Sequence, residues 1–517
     1  MSKQKFDAVV LANSFKDTVS LAKDSADQPL VIFTDQPAVC HPLKAERVRR
    51  GMHSHAKKVG MGLNRTRFEE VLDELDAITF EDGETITAHY RVAPMLGGYL
   101  YHLGDGRFLQ ATDGRAVVTT TIPNGLYFTE TSTMIAAPTP ELKFDLKALL
   151  KWFNCSDKEK LLLLAWLTYT VATPKVAQLP YPILVVRAPA GSGKTFMCSR
   201  VIRQLVDPCQ VASQTMPKAV KDIAISAQNS HVLIYDNLRY IRHDLSDGLC
   251  QVATGGSTVG RKLYTDGQEY SMDLRCALVL NGIHTFVTES DLVSRCVNVN
   301  LTPIESKQRR SEAELSAQFD KELPSLLYTL HTLAAKVLAV KDSVDITFKS
   351  RMTDFAVWVA GLETVLKLPK GALQNAYKAN VEQAKVAGVV DDSLFVALST
   401  FAQRYSKSNP WHGTPHELLS ALEAQTSVSL GSDMPRNASA MSRKIPMIHD
   451  ALTSNGVHVI RGRATDRYYD VWFEPKTSQS RDDGDDATEH PAVPSSSSPH
   501  VDATHANDFD NAEELLG

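Results

Sequence analysis

The stretch ILVVRAPAGSGKTF, Ile183 to Phe196, sets an apolar run against a glycine-rich turn that closes on a lysine and a threonine. Residues of these types at this spacing hold a phosphate. Ala190, Gly191, Ser192 and Gly193 would turn successive backbone N–H groups toward one anion, at the start of a helix whose N-terminus carries partial positive charge. Lys194 would reach the β and γ phosphates of ATP, and the Thr195 hydroxyl would hold Mg²⁺. Ala188 stands where such loops usually carry their first glycine.

Three further strand tips extend the chemistry. In HVLIYDNL, Asp236 closes an apolar run and would bind Mg²⁺ through water. The next residue is Asn237, where a glutamate often activates the attacking water. Either Asn237 orients that water or a carboxylate from elsewhere is the base. In CALVLNGI, Asn281 would touch the γ-phosphate and its water, and in ESDLVSRCVNVNL a short helix opened by Asp291 leads to Arg295. An arginine there would reach the γ-phosphate on a neighbouring subunit and stabilise charge in trans.

Two stretches read as DNA contacts. GRKLYTDGQEYSM has the hairpin signal Asp266-Gly267 between pairing runs, bringing Arg261, Lys262 and Tyr264 to a single strand's backbone and bases, unless Arg261 serves a subunit interface. Further on, Thr414, Pro415 and Glu417 form a helix start with a capping box. A second helix follows with Ser442, Arg443 and Lys444; Pro446 is expected to kink or restart it, and Gly456 to stop it. An alternating hairpin with Arg461, Arg463 and Arg467 near its turn completes a winged-helix pattern, a module that binds DNA or docks protein.

The elements that position these residues need room, and 517 residues with 43% hydrophobic content allow three or more domains. Seven scattered cysteines with no C-x-x-C pair imply a reduced compartment and no structural zinc, and the sixteen histidines do not cluster at ligand spacing. The greasiest run, LLLLAWLTYTVA, is far shorter than the roughly 20 residues that span a bilayer. A cytoplasmic chain without a membrane partner is expected. From Thr477 to Gly517 there are ten acidic residues and one arginine, a net charge of −9, which leaves +4 for the preceding 476 residues. That tail has too little apolar content to repay ordering and is expected to be disordered. Its end, DFDNAEELLG, reads either as a solvating tail or as a docking peptide for a replication protein.

Taken in order, APAGSGKT, LIYDNL, SDGLCQVATGGSTVGRKLYTDGQEY, LVLNGI and DLVSRCV resemble the AAA+ ATPases of phage, plasmid and genomic-island replication, close to the superfamily 3 helicases. The likeness runs from about Ala93 to Phe473. It implies a ring, by family a hexamer, that couples ATP hydrolysis to movement along single-stranded or forked DNA. It carries Lys194 and Thr195 to the nucleotide, Asp236 to Mg²⁺, Asn281 to a sensor position and Arg295 to a finger. An ATP-regulated initiator or loader, or a DNA-binding scaffold with weak ATPase, are the alternatives.

The expected fold class is α/β multidomain. Residues 1–92 form an N-terminal α/β domain, in which DAVVLA and PLVIF read as short strands, RTRFEEVLDELDAI as a helix and KAERVRRGMHSHAKK as either a solvated helical face or a basic contact for nucleic acid. Residues 93–140 form a small β unit, 141–304 the P-loop AAA+ core of parallel sheet and flanking helices, and 305–405 a helical lid in which Arg351 would read the nucleotide. The winged helix takes 406–474 and the tail 475–517.

Overall fold

The computed structural model describes residues 6–189, 191–261, 269–390, 393–424, 434–463 and 467–475. Chain packing separates two units: one built from the chain up to Phe286 with Ser294–Val381, the other from Val287–Val293 with the chain beyond Glu382.

Four parallel strands organise the first unit. Their spatial order is Val232–Leu238, Ala277–Gly282, Ile183–Arg187, Cys296–Asn300. Nearly every residue in them is buried, because a parallel sheet covered on both faces needs continuous apolar runs and not alternation. Helix Asp157–Ala172 covers the sheet with twelve buried residues from Leu161 to Ala172, so the greasiest run of the sequence is a core helix. It starts at Ser156 with a capping box to Glu159. Leu146–Leu150 and Asp157–Ala172 are separate helices, each with its own N-cap, Asp145 and Ser156.

Helix Glu312–Val340, from the segment read as a lid, shares one hydrophobic core with that sheet through Phe319, Leu323, Leu326, Leu327 and Leu330. Among the described residues it is the helix long and apolar enough to cross a membrane; two thirds of its apolar window, 67%, is buried inside the protein. That is the burial of a core helix.

A four-stranded antiparallel meander, Val92–Met95, Gly98–Gly104, Arg107–Thr112 and Arg115–Thr119, joins the same core. Two of its three turns fall at Asp105-Gly106 and Asp113-Gly114, where all four residues have positive φ, the geometry of two-residue hairpins. Arg91, fully buried, fastens this meander to the sheet. Its guanidinium donates to Asp207 at 2.9 Å and to the carbonyls of His102, Ile135 and Pro208. Asp207 also accepts from Arg203 and from the backbone N–H groups of His231 and Val232. Burial works against the ionised carboxyl, but Arg91 and Arg203 outweigh it and hold Asp207 below the usual carboxylate range.

At the N-terminus, PLVIF is the strand Pro29–Phe33, whereas DAVVLA lies in helix Ala8–Lys16. Asp7 caps that helix by accepting from the Val10 N–H, and Leu11, Ala12 and Phe15 face the core while Val9 and Val10 are about half exposed. The apolar valine pair belongs to a solvent face. Helix Glu46–Lys58 buries Val48, Met52 and Ala56 and leaves its arginines outside.

In the second unit, helices Ser393–Ala402, Pro415–Glu423 and Ala438–Ser454 pack on a three-stranded antiparallel sheet of Trp411–Gly413, Arg467–Phe473 and Val457–Arg463. Thr414 and Glu417 make the reciprocal cap. Ala438–Ser454 runs through Pro446 without a break, and Gly456, at φ 76°, follows its end. The acidic tail lies outside the described residues.

Candidate functional site

Because the strands are parallel, the residues that follow them emerge at one edge of the sheet. Ile183–Arg187 delivers the glycine turn there, and Gly191 and Gly193 both have positive φ, 80° and 73°. The Ser192 hydroxyl folds inward to the Pro189 carbonyl at 2.9 Å, and Asn154 Nδ2 donates to the Ser192 carbonyl at 3.4 Å. Lys194–Phe196 then opens a helix that widens to a π-turn over Met197–Ile202 and closes with Arg203–Val206. No side chain caps its start, so its first N–H groups remain available to an anion. The turn lines an open cleft of about 670 Å³ with Lys194, Thr195, Arg200, Gln204 and Arg310 around it. Ala190 lies outside the described residues.

The two other strand tips converge behind the turn. Val186 pairs with Asn281, and Tyr235 pairs with Leu280 on the far side of the same strand, so Asn281 stands between the turn and Asp236. Asn281 is fully buried; its Oδ1 accepts from the Asn237 N–H at 3.2 Å, and its Nδ2 has no hydrogen-bond partner of ordinary geometry. Asn237 sits in a bulge at φ 60°, which turns its exposed side chain out of the strand. Asp236 is half-buried, its N–H held by the Gln214 carbonyl. The buried Cys198 thiol feels all three groups: burial pushes it up to about 12, while Asn281 and Lys194 favour its ionisation and Asp236 opposes it. Lys194, Asp236 and Asn281 are therefore all within electrostatic reach of Cys198.

Other sequence-predicted residues are elsewhere. Arg295 precedes the strand Cys296–Asn300, whose first residue pairs with Ile183; it lies at the edge of the sheet opposite the turn and is 6% exposed. A finger in trans from that position requires its guanidinium to leave its buried setting. Arg351 is exposed just before helix Thr353–Val365 and does not line the cleft. Strands Ser257–Arg261 and Glu269–Asp273 pair in antiparallel register, Arg261 opposite Glu269. The turn between them, with Lys262 and Tyr264, lies outside the described residues.

In the second unit Arg443 is exposed on helix Ala438–Ser454 and Lys444 is half-buried. Arg461, Arg463 and Arg467 are exposed on the hairpin, Arg463 directly opposite Arg467. Like charges facing each other cost stability unless an anion lies between them.

Sequence reasoning missed Arg309 and Arg310. They lie in the linker after Leu301, more than a hundred residues from the turn, and signal themselves by sequence only as a basic pair before the capping box at Ser311 and Glu314. Arg310 lines the cleft and donates to Gln318 at 2.6 Å. The Arg309 guanidinium lies against Gly191: a Cβ at position 191 would stand 2.8 Å from its Nη2. Arg200, from the π-turn, is tied to Asp320 of helix Glu312–Val340 by contacts of 2.6 and 2.7 Å.

Among the described residues no group of three or more His, Cys, Asp or Glu side chains forms a metal cage. Thr195 and Asp236 fit Mg²⁺ in its other usual manner, one or two protein oxygens completed by phosphates and water.

No curated protein matches the chain. Among solved structures, the apo C-terminal region of NrS-1 (305–718) is similar at 12% identity and a TM-score of 0.37, covering 91% of this chain and 100% of that one. JCV helicase bound to a small molecule is similar at 12% identity and a TM-score of 0.25, covering 46% of this chain and 65% of that one. Both scores are too low to assign the fold. Residues 145–386 match the family model of the actinomycete integrative conjugative element replication protein, and residues 394–481 match that of the AICE RepA C-terminal domain. Along these two adjoining stretches the chain is similar to the replication proteins of integrative conjugative elements.

Proposed function

We propose that this chain is an ATP-driven replicative DNA helicase, a P-loop ring motor on single-stranded DNA. The observation that carries the reading is the glycine turn at the end of a parallel strand, with Asn281 and Asp236 brought to the same sheet edge by the register of the neighbouring strands. Lys194 and the N–H groups of Gly191 to Thr195 bind the ATP phosphates, and Thr195 and Asp236 hold Mg²⁺. Bound there, Mg²⁺ would supply neutralisation of the phosphate charge. Asn281, fixed by the Asn237 N–H, aims its Nδ2 at the terminal phosphate and the attacking water. Arg295, once its guanidinium leaves its buried setting, serves a neighbouring subunit's nucleotide as finger, and Arg351, outside the cleft, would have to move to it to act as second sensor. The replication-family match over both units supports the DNA side of the reading.

DNA is gripped twice. Arg261, Lys262 and Tyr264 contact a single strand's backbone and bases, and the C-terminal unit is a winged helix that presents Arg443, Lys444, Arg461 and Arg463 to phosphates. Six copies close the ring, the tail docks a replication protein, and the chain works in the cytoplasm. The test is ATP turnover with and without single-stranded DNA, together with separation of a forked duplex. DNA-stimulated turnover with unwinding supports the motor; turnover that ignores DNA, and an intact fork, sink it.

One pair of observations favours a second reading, an ATP-regulated loader or scaffold with slow turnover. Asn237 offers no carboxylate base, and Arg295 is 6% exposed. A DNA footprint that tightens with ATP, without strand separation, would select it.

A further inference from the structure

We infer that Arg309 is a cis ligand for the nucleotide's phosphates, a second cation beside Lys194 brought by the linker that follows the sheet. The inference rests on the nucleotide reading of the glycine turn and adds a residue to it.

Its position is set from both sides. The linker leaves the last strand at Leu301, whose N–H is held by the Arg187 carbonyl, and Thr302 is clamped by Asn154, which also bonds the turn at Ser192. Ile304 packs 3.4 Å from where a Cβ at Gly193 would stand, and its carbonyl accepts Arg309 Nε at 3.3 Å. That bond fixes the stem of the guanidinium and leaves its Nη2 beside Gly191.

Gly191 is thus constrained twice. Its φ of 80° disfavours any L side chain, and a side chain there would also collide with Arg309. The linker's other end is fixed by Ser311, which caps helix Glu312–Val340 and accepts from the Glu314 N–H at 3.2 Å. A guanidinium held on a short, doubly anchored linker beside an anion-accepting turn presents a planar fork to phosphate oxygens, the geometry in which arginine exceeds lysine in charge-assisted bonding. Phosphate in the cleft then bridges the turn to the head of a helix that otherwise belongs to the core.

The experiment is equilibrium binding of a fluorescent ATP analogue with Mg²⁺ to full-length wild type, Arg309→Gln, Arg309→Lys and Lys194→Ala, with unfolding temperatures taken without nucleotide. Arg309→Gln is expected to weaken binding roughly 10-fold to 100-fold, as loss of a charge-assisted hydrogen bond does, and Arg309→Lys to recover most of it, with the unfolding temperatures unchanged. Wild-type binding by Arg309→Gln, or equal weakening in Gln and Lys, overturns the inference; if Lys194→Ala is weakened in the same assay, the nucleotide reading stands without it. Undiminished binding by a folded Lys194→Ala overturns both.

Discussion

The two units hold their charges in opposite ways. In the first, Arg91 and Asp207 are fully buried and heavily bonded, and Asp236 and Asn281 are brought to one sheet edge by strand register. In the second, Arg443, Arg461, Arg463 and Arg467 stand exposed on a helix and a hairpin. A buried charge keeps its place because leaving it unpaired is costly; an exposed one keeps its freedom and serves any polyanion that arrives. The first unit is therefore built for one geometry and the second for a field.

Acid breaks this contrast most completely. His89 and His231 are lowered by burial to about 4, and His102 and His331 to about 3; all four are in the first unit. Unfolded rings titrate near 6.5, so below that pH the unfolded chain binds more protons than the folded one. Their contribution is complete above pH 6.5 and falls as pH drops from there toward 4. Calorimetry across that interval should show the first unit's transition moving down more than that of the second; equal movement would erase the distinction.

Next in size is Asp207→Ala, which strands Arg91 and is expected to cost about 3–5 kcal/mol in denaturant unfolding. A loss below about 1 kcal/mol would mean that water reaches Arg91 and that the contrast in burial is overstated. On the chemical side, Lys194→Ala should reduce ATP turnover by on the order of 10² to 10³-fold, the scale for removing one preorganised charge donor, with little change in folding. The smallest effect belongs to the exposed arginines. Replacing Arg461 and Arg463 with alanine should lower the slope of log affinity against log salt by about 2 in DNA titrations, one for each phosphate no longer neutralised. An unchanged slope would assign the hairpin to protein docking.

Much of the first unit is legible in the sequence because local rules and global fold agree there. An apolar run, a Gly-x-Gly-Lys turn and a helix follow one another without interruption, and two Asp-Gly pairs mark two hairpins. DAVVLA misleads because a short apolar run suits a strand or a helix, and the Asp7 cap decides it. Arg295 is legible as a position and not as a burial, since exposure depends on what packs against it. Arg309 is hidden because its relation to Gly191 spans more than a hundred residues and is made by the linker's path. Asn237 adopts a left-handed conformation that the sequence permits without announcing.

The thiol of Cys198 offers a different use of the same geometry. All seven cysteines are buried and outside any disulfide, and Cys198 lies behind the glycine turn, kept protonated by its surroundings. A protonated, enclosed thiol is inert to alkylation, so its modification rate becomes a clock for the opening of the sheet edge. Mass-resolved labelling at Cys198 would time how often that edge parts, and how far a bound nucleotide slows it, in an unmodified chain.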